Sequence, residues 1–136
     1  MFDLSKNNLA DSAEAGFEFE LRIPGTNDAT GAFVTVRGGE SKKVKEHIRK
    51  TYNQIRMREA ALRKRGKDPE EMTLDEAEEL SIDSAIVRVI SWRGIAEDGK
   101  AVEFTAENAR RIFKEHGWIR DQIVEESNQL LNFRPV

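Results

Sequence analysis

Five apolar side chains, Val44, Ile48, Tyr52, Ile55 and Leu62, recur at spacings of three, four and seven residues between Lys42 and Arg65. That is helical periodicity, and it predicts one helix from about residue 42 to residue 65, roughly 36 Å long. Ser41 is placed to cap its N-terminus, although Lys42 and Lys43 are poor company for the positive end of the helix dipole. Gly66 is the expected C′ residue, with Arg63, Lys64 and Arg65 suitably placed in the last turn. The apolar stripe is narrow for so long a rod.

The charges around this helix are segregated. Residues 42–67 hold eleven Lys and Arg against two acids, Glu46 and Glu59, a balance of +9; residues 68–83 hold eight acids and no base, −8. The whole chain carries −3. A basic helix followed at once by an acidic one suggests antiparallel helices whose faces attract, or complementary patches on neighbouring copies. Exposed pairs contribute only about 0–1 kcal/mol each, so two solvated faces are the plainer account.

Before the helix, Phe17, Phe19, Leu21 and Ile23 alternate with Glu18, Glu20 and Arg22, the period of a half-buried strand. A loop from Pro24 to Gly31 leads to a return strand, Ala32–Arg37, broken by Gly38-Gly39. Residues 1–16 lack periodicity and read as a mobile or loosely docked arm. After the helix, Lys67–Glu71 is a connector, and Thr73 with Glu76 predicts a capping box. The next helix becomes apolar nearly all round from Ala85 to Trp92, where β-branched residues would suit a strand equally well. With no breaker after Leu80, helix is the reading taken. A short helix over 106–115 and a last one over about 119–131 follow.

The segment from Trp92 to Phe133 has a particular order of parts. It runs Trp92-Arg93-Gly94, Asp98-Gly99-Lys100, Val102-Glu103-Phe104-Thr105, Glu107-Asn108, an apolar stretch from Trp118 to Leu131, and Asn132-Phe133. Gly94 can end a helix with positive φ, Asp98-Gly99 marks a tight turn, and Thr105 is an N-cap. This order resembles the tail assembly chaperones of long, non-contractile-tailed bacteriophages, and the strand Phe17–Ile23 with its turn and return strand also fits their front end. The likeness covers about 17–133 in order of elements, and supports the helical reading of 85–92. It implies a non-enzymatic protein that binds the tape measure protein, self-associates, and works in the host bacterial cytoplasm without entering the mature virion. It also implies a longer form, made by ribosomal frameshifting, that recruits the tail tube protein. The long basic helix and the acidic segment after it fall outside what can be matched.

The residues offer little chemistry. There are no cysteines, which removes disulfides and thiolate chemistry and suits a cytosolic protein. No run approaches the ~18 apolar residues of a membrane span, and Met1–Ser5 lacks the pattern of a signal peptide. His47 and His116 have no companions at ligand spacing, and Asp75, Glu76, Glu78 and Glu79 spread over more than one helix face, so no metal is expected. Gly38-Gly39 lacks the spacing of a phosphate loop, and Ser81, Ser84 and Ser91 have no elbow motif. No catalytic residue and no cofactor are expected. Trp92 and Trp118 read as core anchors, in one cluster with Phe104, Ile112, Ile123 and Val89.

The candidate partner-binding residues are Lys42, Lys43, Lys45, Arg49, Lys50, Arg56, Arg63 and Lys64, opposite the apolar stripe. Helices that neutralise phosphates look similar. Yet no aromatics interleave for base stacking, and the rest of the chain is acidic, so nucleic acid is the secondary expectation and a generic protein-interaction adaptor the other alternative. The expected architecture is an α+β domain over 17–133, mostly helical, with an N-terminal β-hairpin followed by about four helices, an arm at 1–16 and a tail at 134–136.

Overall fold

The computed structural model describes residues 1–134. Of the expected tail, Pro135 and Val136 lie outside the described residues. In chain order the elements are α1 (Leu9–Ala15), β1 (Phe17–Arg22), β2 (Ala29–Val36), α2 (Lys42–Lys64), α3 (Leu74–Arg88), β3 (Val89–Arg93), β4 (Ala96–Glu97), β5 (Lys100–Ala101), α4 (Ala106–Glu115) and α5 (Gly117–Ser127). Single 3-10 turns cover Leu4–Lys6 and Leu130–Phe133. The class is α+β, and four α-helices, α2 to α5, follow the hairpin as expected; a fifth among the described residues precedes it. The extra one, α1, falls in the segment read as an arm.

The β1–β2 hairpin forms with Phe17 opposite Val36 and Phe19 opposite Val34. It is not isolated, because β3 adds antiparallel to β2 and makes a three-stranded sheet in the order β1-β2-β3. Helix over 85–92 is therefore corrected: α3 stops at Arg88 and Val89–Arg93 is a strand. The physical reason is a register irregularity between Thr35 and Val36, which pair with Ser91 and Val89. The extra β3 residue lets Val89 and Trp92, three apart, both join the core. Strict alternation is lost, so the run resembles a buried helix end.

Gly94 is likewise corrected. It has the expected positive φ, +81°, but it ends β3 rather than a helix, and a Cβ there would overlap the Gly31 carbonyl on β2. Asp98 and Gly99, at φ +50° and +76°, make the tight β4–β5 turn. The last helix ends at Ser127, short of Leu131.

Helices α3, α4 and α5 bury their apolar sides against one another and against the sheet. Leu21, Val34 and Val36 from the sheet meet Ile82, Ala85, Ile112, Phe113 and Ile123, all buried. Burying each large aliphatic or aromatic side chain contributes about 1.5–3 kcal/mol. Trp92, Phe104, Trp118, Ile112, Ile123 and Val89 share this one cluster. The Trp92 ring meets Phe104 edge-on at 5.0 Å and Phe113 at 6.2 Å, and its indole N–H donates to the Val102 carbonyl at 2.8 Å, tying β3 to the strand end after β5.

The motif residues of this region are ties. The Thr105 hydroxyl accepts from the Asn108 N–H at 3.0 Å, while the Asn108 amide donates to the Glu103 carbonyl at 3.0 Å. Asn132 donates to the Glu126 carbonyl and carboxylate, and Phe133 is buried edge-on to Phe17 at 6.1 Å. The chain end is thereby stapled to β1.

α2 begins as its sequence predicts. The buried Ser41 hydroxyl accepts from the Val44 N–H at 3.0 Å. The awkward lysines are answered from α1: the Glu14 carboxylate accepts from the Lys43 N–H at 3.0 Å and lies 3.6 Å from Arg37. At the far end Gly66, at φ +71°, donates to Arg63, and Lys67 donates back to Leu62, a Schellman closure. The predicted capping box of α3 is half made. Thr73 accepts from the Glu76 N–H at 3.1 Å, but the Glu76 carboxylate turns instead to Arg58 of α2.

Candidate partner-binding surface

α2 lies along α3 and meets α1 near its start. Its apolar stripe is only partly covered. Val44 is buried, and Ile55 and Leu62 are half-buried. Ile48 is 50% exposed and Tyr52 59% exposed.

The charge blocks do not cancel across the α2–α3 contact. One ion pair joins the two helices among the described residues, Arg58 to Glu76 at 3.0 Å. That bond pushes the pKa of the Arg58 guanidinium up, with the Glu76 charge adding to the effect. Three other α3 carboxylates pair with later helices instead, while Asp75 makes no ion pair among the described residues. Arg110 of α4 takes Glu79 at 3.0 Å and Asp83 at 2.6 Å, and Arg120 of α5 lies 3.8 Å from Glu78. Packing of α2 on α3 within one chain would abolish the basic stripe only if the acids of α3 faced α2. It does not, because the acids of α3 are used by α4 and α5.

The eight candidate cations do not form one patch. At 100° per residue, Lys45, Arg49, Arg56 and Arg63 share one edge of α2, next to Ile48 and Tyr52. Lys43 and Lys50 lie on the opposite edge, and Lys42 and Lys64 on the outer face. Lys45 pairs with Glu40 at 2.7 Å and Lys42 lies 4.0 Å from Glu46. Among the described residues the other six make no ion pair. The Arg56 guanidinium sits 5.8 Å from the centre of the Tyr52 ring.

Beside this edge runs a valley. One stretch, of about 260 Å³, lies between Ile48 and Tyr52 of α2 and Leu80 and Ser84 of α3. A second, of about 480 Å³, shares Leu80 and Ser84 and is walled by Arg120, Asp121, Val124 and Glu125 of α5. The two adjoin at these α3 residues, one on the α2 side and one on the α5 side. Sequence reasoning missed the α5 wall, which no local pattern signals, and it missed Ile48 and Tyr52 as surface residues because periodicity assigns them to a core.

Arg88 was missed as well. It is only 6% exposed and donates to the Ser84 carbonyl at 2.8 Å and to the hydroxyl of Ser84, a residue that lines both stretches. Its Nε is buried without a partner, and burial pushes its pKa below the ordinary arginine value. No carboxylate pairs with it among the described residues.

On the other side of α2, a groove of about 500 Å³ is lined by Arg37, Lys43, His47 and Asp83 over Ile86, Ile90 and Phe104. His116 lies apart, between α4 and α5. No group of three metal-ligating side chains occurs among the described residues. No helix among them is long and apolar enough to cross a membrane.

The sequence model of a family described as YdaY prophage protein matches residues 39–136. The chain belongs to the YdaY prophage protein family. The matched span starts at Gly39, just before α2, and takes in the whole valley together with the Trp92–Phe133 ties; α1 and the β1–β2 hairpin lie outside it. No curated protein and no solved structure matches the chain.

Proposed function

We propose that this YdaY-family protein is a non-enzymatic assembly chaperone for a phage tail. It binds the tape measure protein and keeps it soluble until the tail tube polymerises. The observation that carries this reading is the apolar stripe of α2, which leaves Ile48 and Tyr52 exposed on the rim of an apolar valley. Such a surface suits a stoichiometric partner whose own apolar helices would otherwise aggregate. The prophage family and the order of parts from Trp92 to Phe133 support the same reading. In this proposal the protein acts in the host bacterial cytoplasm, self-associates into a coat on its partner, and is absent from the mature virion. A frameshifted longer form recruits the tail tube protein.

Co-expression with the tape measure protein of the same prophage is the test. The expected result is a soluble complex with several copies of this chain per tape measure chain. Equal solubility of the tape measure protein expressed alone would overturn the proposal. A nucleic-acid reading has one observation in its favour, the unpaired Arg49, Arg56 and Arg63 on one edge of α2. It requires affinity for a duplex that falls steeply with salt.

A further inference from the structure

We infer that the valley floored by α3 receives one amphipathic helix of a partner protein, acidic along the flank that meets α2 and basic along the flank that meets α5. This deepens the chaperone reading and rests on it for the partner's identity. The occupant's chemistry follows from three features of the valley.

The first is its lining. Ile48 and Tyr52 on one wall, Leu80 on the floor and Val124 on the other wall give a concave apolar track between two helices. A helix with residues at i, i+3, i+4 and i+7 on one side fills such a track with its backbone bonds already satisfied. The second is the asymmetry of the rims. Arg49, Arg56 and Arg63 stand along the α2 rim without ion pairs, spanning roughly 21 Å, or about four helical turns. Glu125 and the exposed Asp121 stand on the α5 rim; Arg120 of the same wall is mostly buried and lies 3.8 Å from Glu78 and 4.0 Å from Asp121. The third is Arg88, a buried cation under Ser84 with no carboxylate of its own among the described residues. It adds positive potential beneath the floor.

These features choose among occupants. A nucleic-acid duplex is anionic throughout, so Asp121 and Glu125 would repel one of its strands while the apolar lining met no counterpart. A second copy of this chain has no suitable free helix among the described residues. α3, α4 and α5 bury their apolar faces in the core, α1 has only seven residues, and α2, though exposed at Ile48 and Tyr52, is basic on both edges and would meet the α2 rim with like charge. A partner helix with oppositely charged flanks meets both rims favourably, and electrostatic complementarity of this kind fixes register and partner choice.

Titration of the full chain with synthetic helices tests this. Each peptide has about 18 residues and the same leucine stripe. One carries Glu on one flank and Lys on the other, and a second carries Lys on both. The mixed peptide is expected to bind at least about tenfold more tightly at low salt. The double substitution Arg49→Glu with Arg56→Glu, both on exposed positions, should weaken the mixed peptide about tenfold and strengthen the all-lysine one. An unfolded variant could not do the second. Equal binding of the two peptides would overturn the inference, as would indifference to the double substitution. A DNA duplex that binds more tightly than the mixed peptide, and loses binding in the same variant, would also overturn it. Co-expression separates the two proposals. Peptide discrimination without a solubilised tape measure protein sinks the chaperone reading and leaves the valley standing. A tape measure protein solubilised equally by the doubly substituted chain, with no peptide discrimination, does the reverse.

Discussion

Helix α2 and the segment from Val89 to Phe133 both carry apolar residues at regular spacing, yet they place them differently. In the C-terminal segment most large side chains enter the common core, Leu130 and Leu131 and the valley side of α5 apart, and the motif residues Trp92, Thr105, Asn108 and Asn132 each hold a specific hydrogen bond. In α2 only Val44 is fully buried, while Ile48 and Tyr52 face the valley and six cations lack ion pairs among the described residues. Where packing and polar ties are complete, the residues account for stability. Where an equally regular stripe is left uncovered, stability does not explain it, and an interaction surface does.

Substitutions should separate the two regions by size of effect. Phe113→Ala, at a fully buried ring between the sheet and α5, is expected to cost about 3–5 kcal/mol in urea unfolding. Trp92→Ala should cost roughly 3 kcal/mol, since the ring is only partly buried but its indole bond to Val102 is lost too. A Trp92→Ala protein with unchanged stability and lost partner binding would place Trp92 in an interface and break the comparison.

Two glycines with similar φ sharpen it further. Gly94 at +81° lies against the Gly31 carbonyl, whereas Gly66 at +71° has open space around it. Gly94→Ala should therefore cost clearly more, about 2–3 kcal/mol, than Gly66→Ala at about 1 kcal/mol. Equal costs by thermal unfolding would mean that β2 and β3 do not approach as described.

The joint between α1 and α2 should respond to acid. The hydrogen bond from the Lys43 N–H holds the Glu14 carboxyl below its ordinary range, outweighing burial, with Arg37 and Lys43 charges adding to it. A depressed folded-state value means that the stabilisation is complete above the ordinary glutamate range. It is lost as pH falls from about 4.3 through the lower folded value. Glu14→Gln should flatten that part of the stability–pH curve. An unchanged curve would show that α1 does not hold the α2 N-terminus. Smallest of all, Tyr52→Ser should alter stability by no more than about 0.5 kcal/mol while weakening partner binding.

Local signals made much of this fold legible. The caps Ser41, Thr73 and Thr105, the C′ residue Gly66, the Asp98-Gly99 turn and the β1–β2 alternation each depend on neighbours in sequence. What stayed hidden depends on tertiary placement. β3 was masked because its irregular pairing with β2 puts Val89 and Trp92 on the same side. The fate of the α3 acids was masked because Arg110 and Arg120 lie in later helices. The valley was half legible: its basic rim stands in the sequence of α2, but the opposite rim is Asp121 and Glu125 of α5, and the orphaned Arg88 looks like any helical arginine. α1 is too short to announce itself, and its docking rests on Ala13 against Gly38 and on Glu14.

Amide hydrogen exchange of the full chain, alone and in complex with the co-expressed tape measure protein, tests the central claim most directly. The account predicts new protection over residues 45–63 and 80–88 and along the exposed side of α5, with residues 96–113 unchanged. Protection gained across 96–113 while 45–63 exchanges as before would contradict it, because the partner would then be held by the segment assigned here to stability.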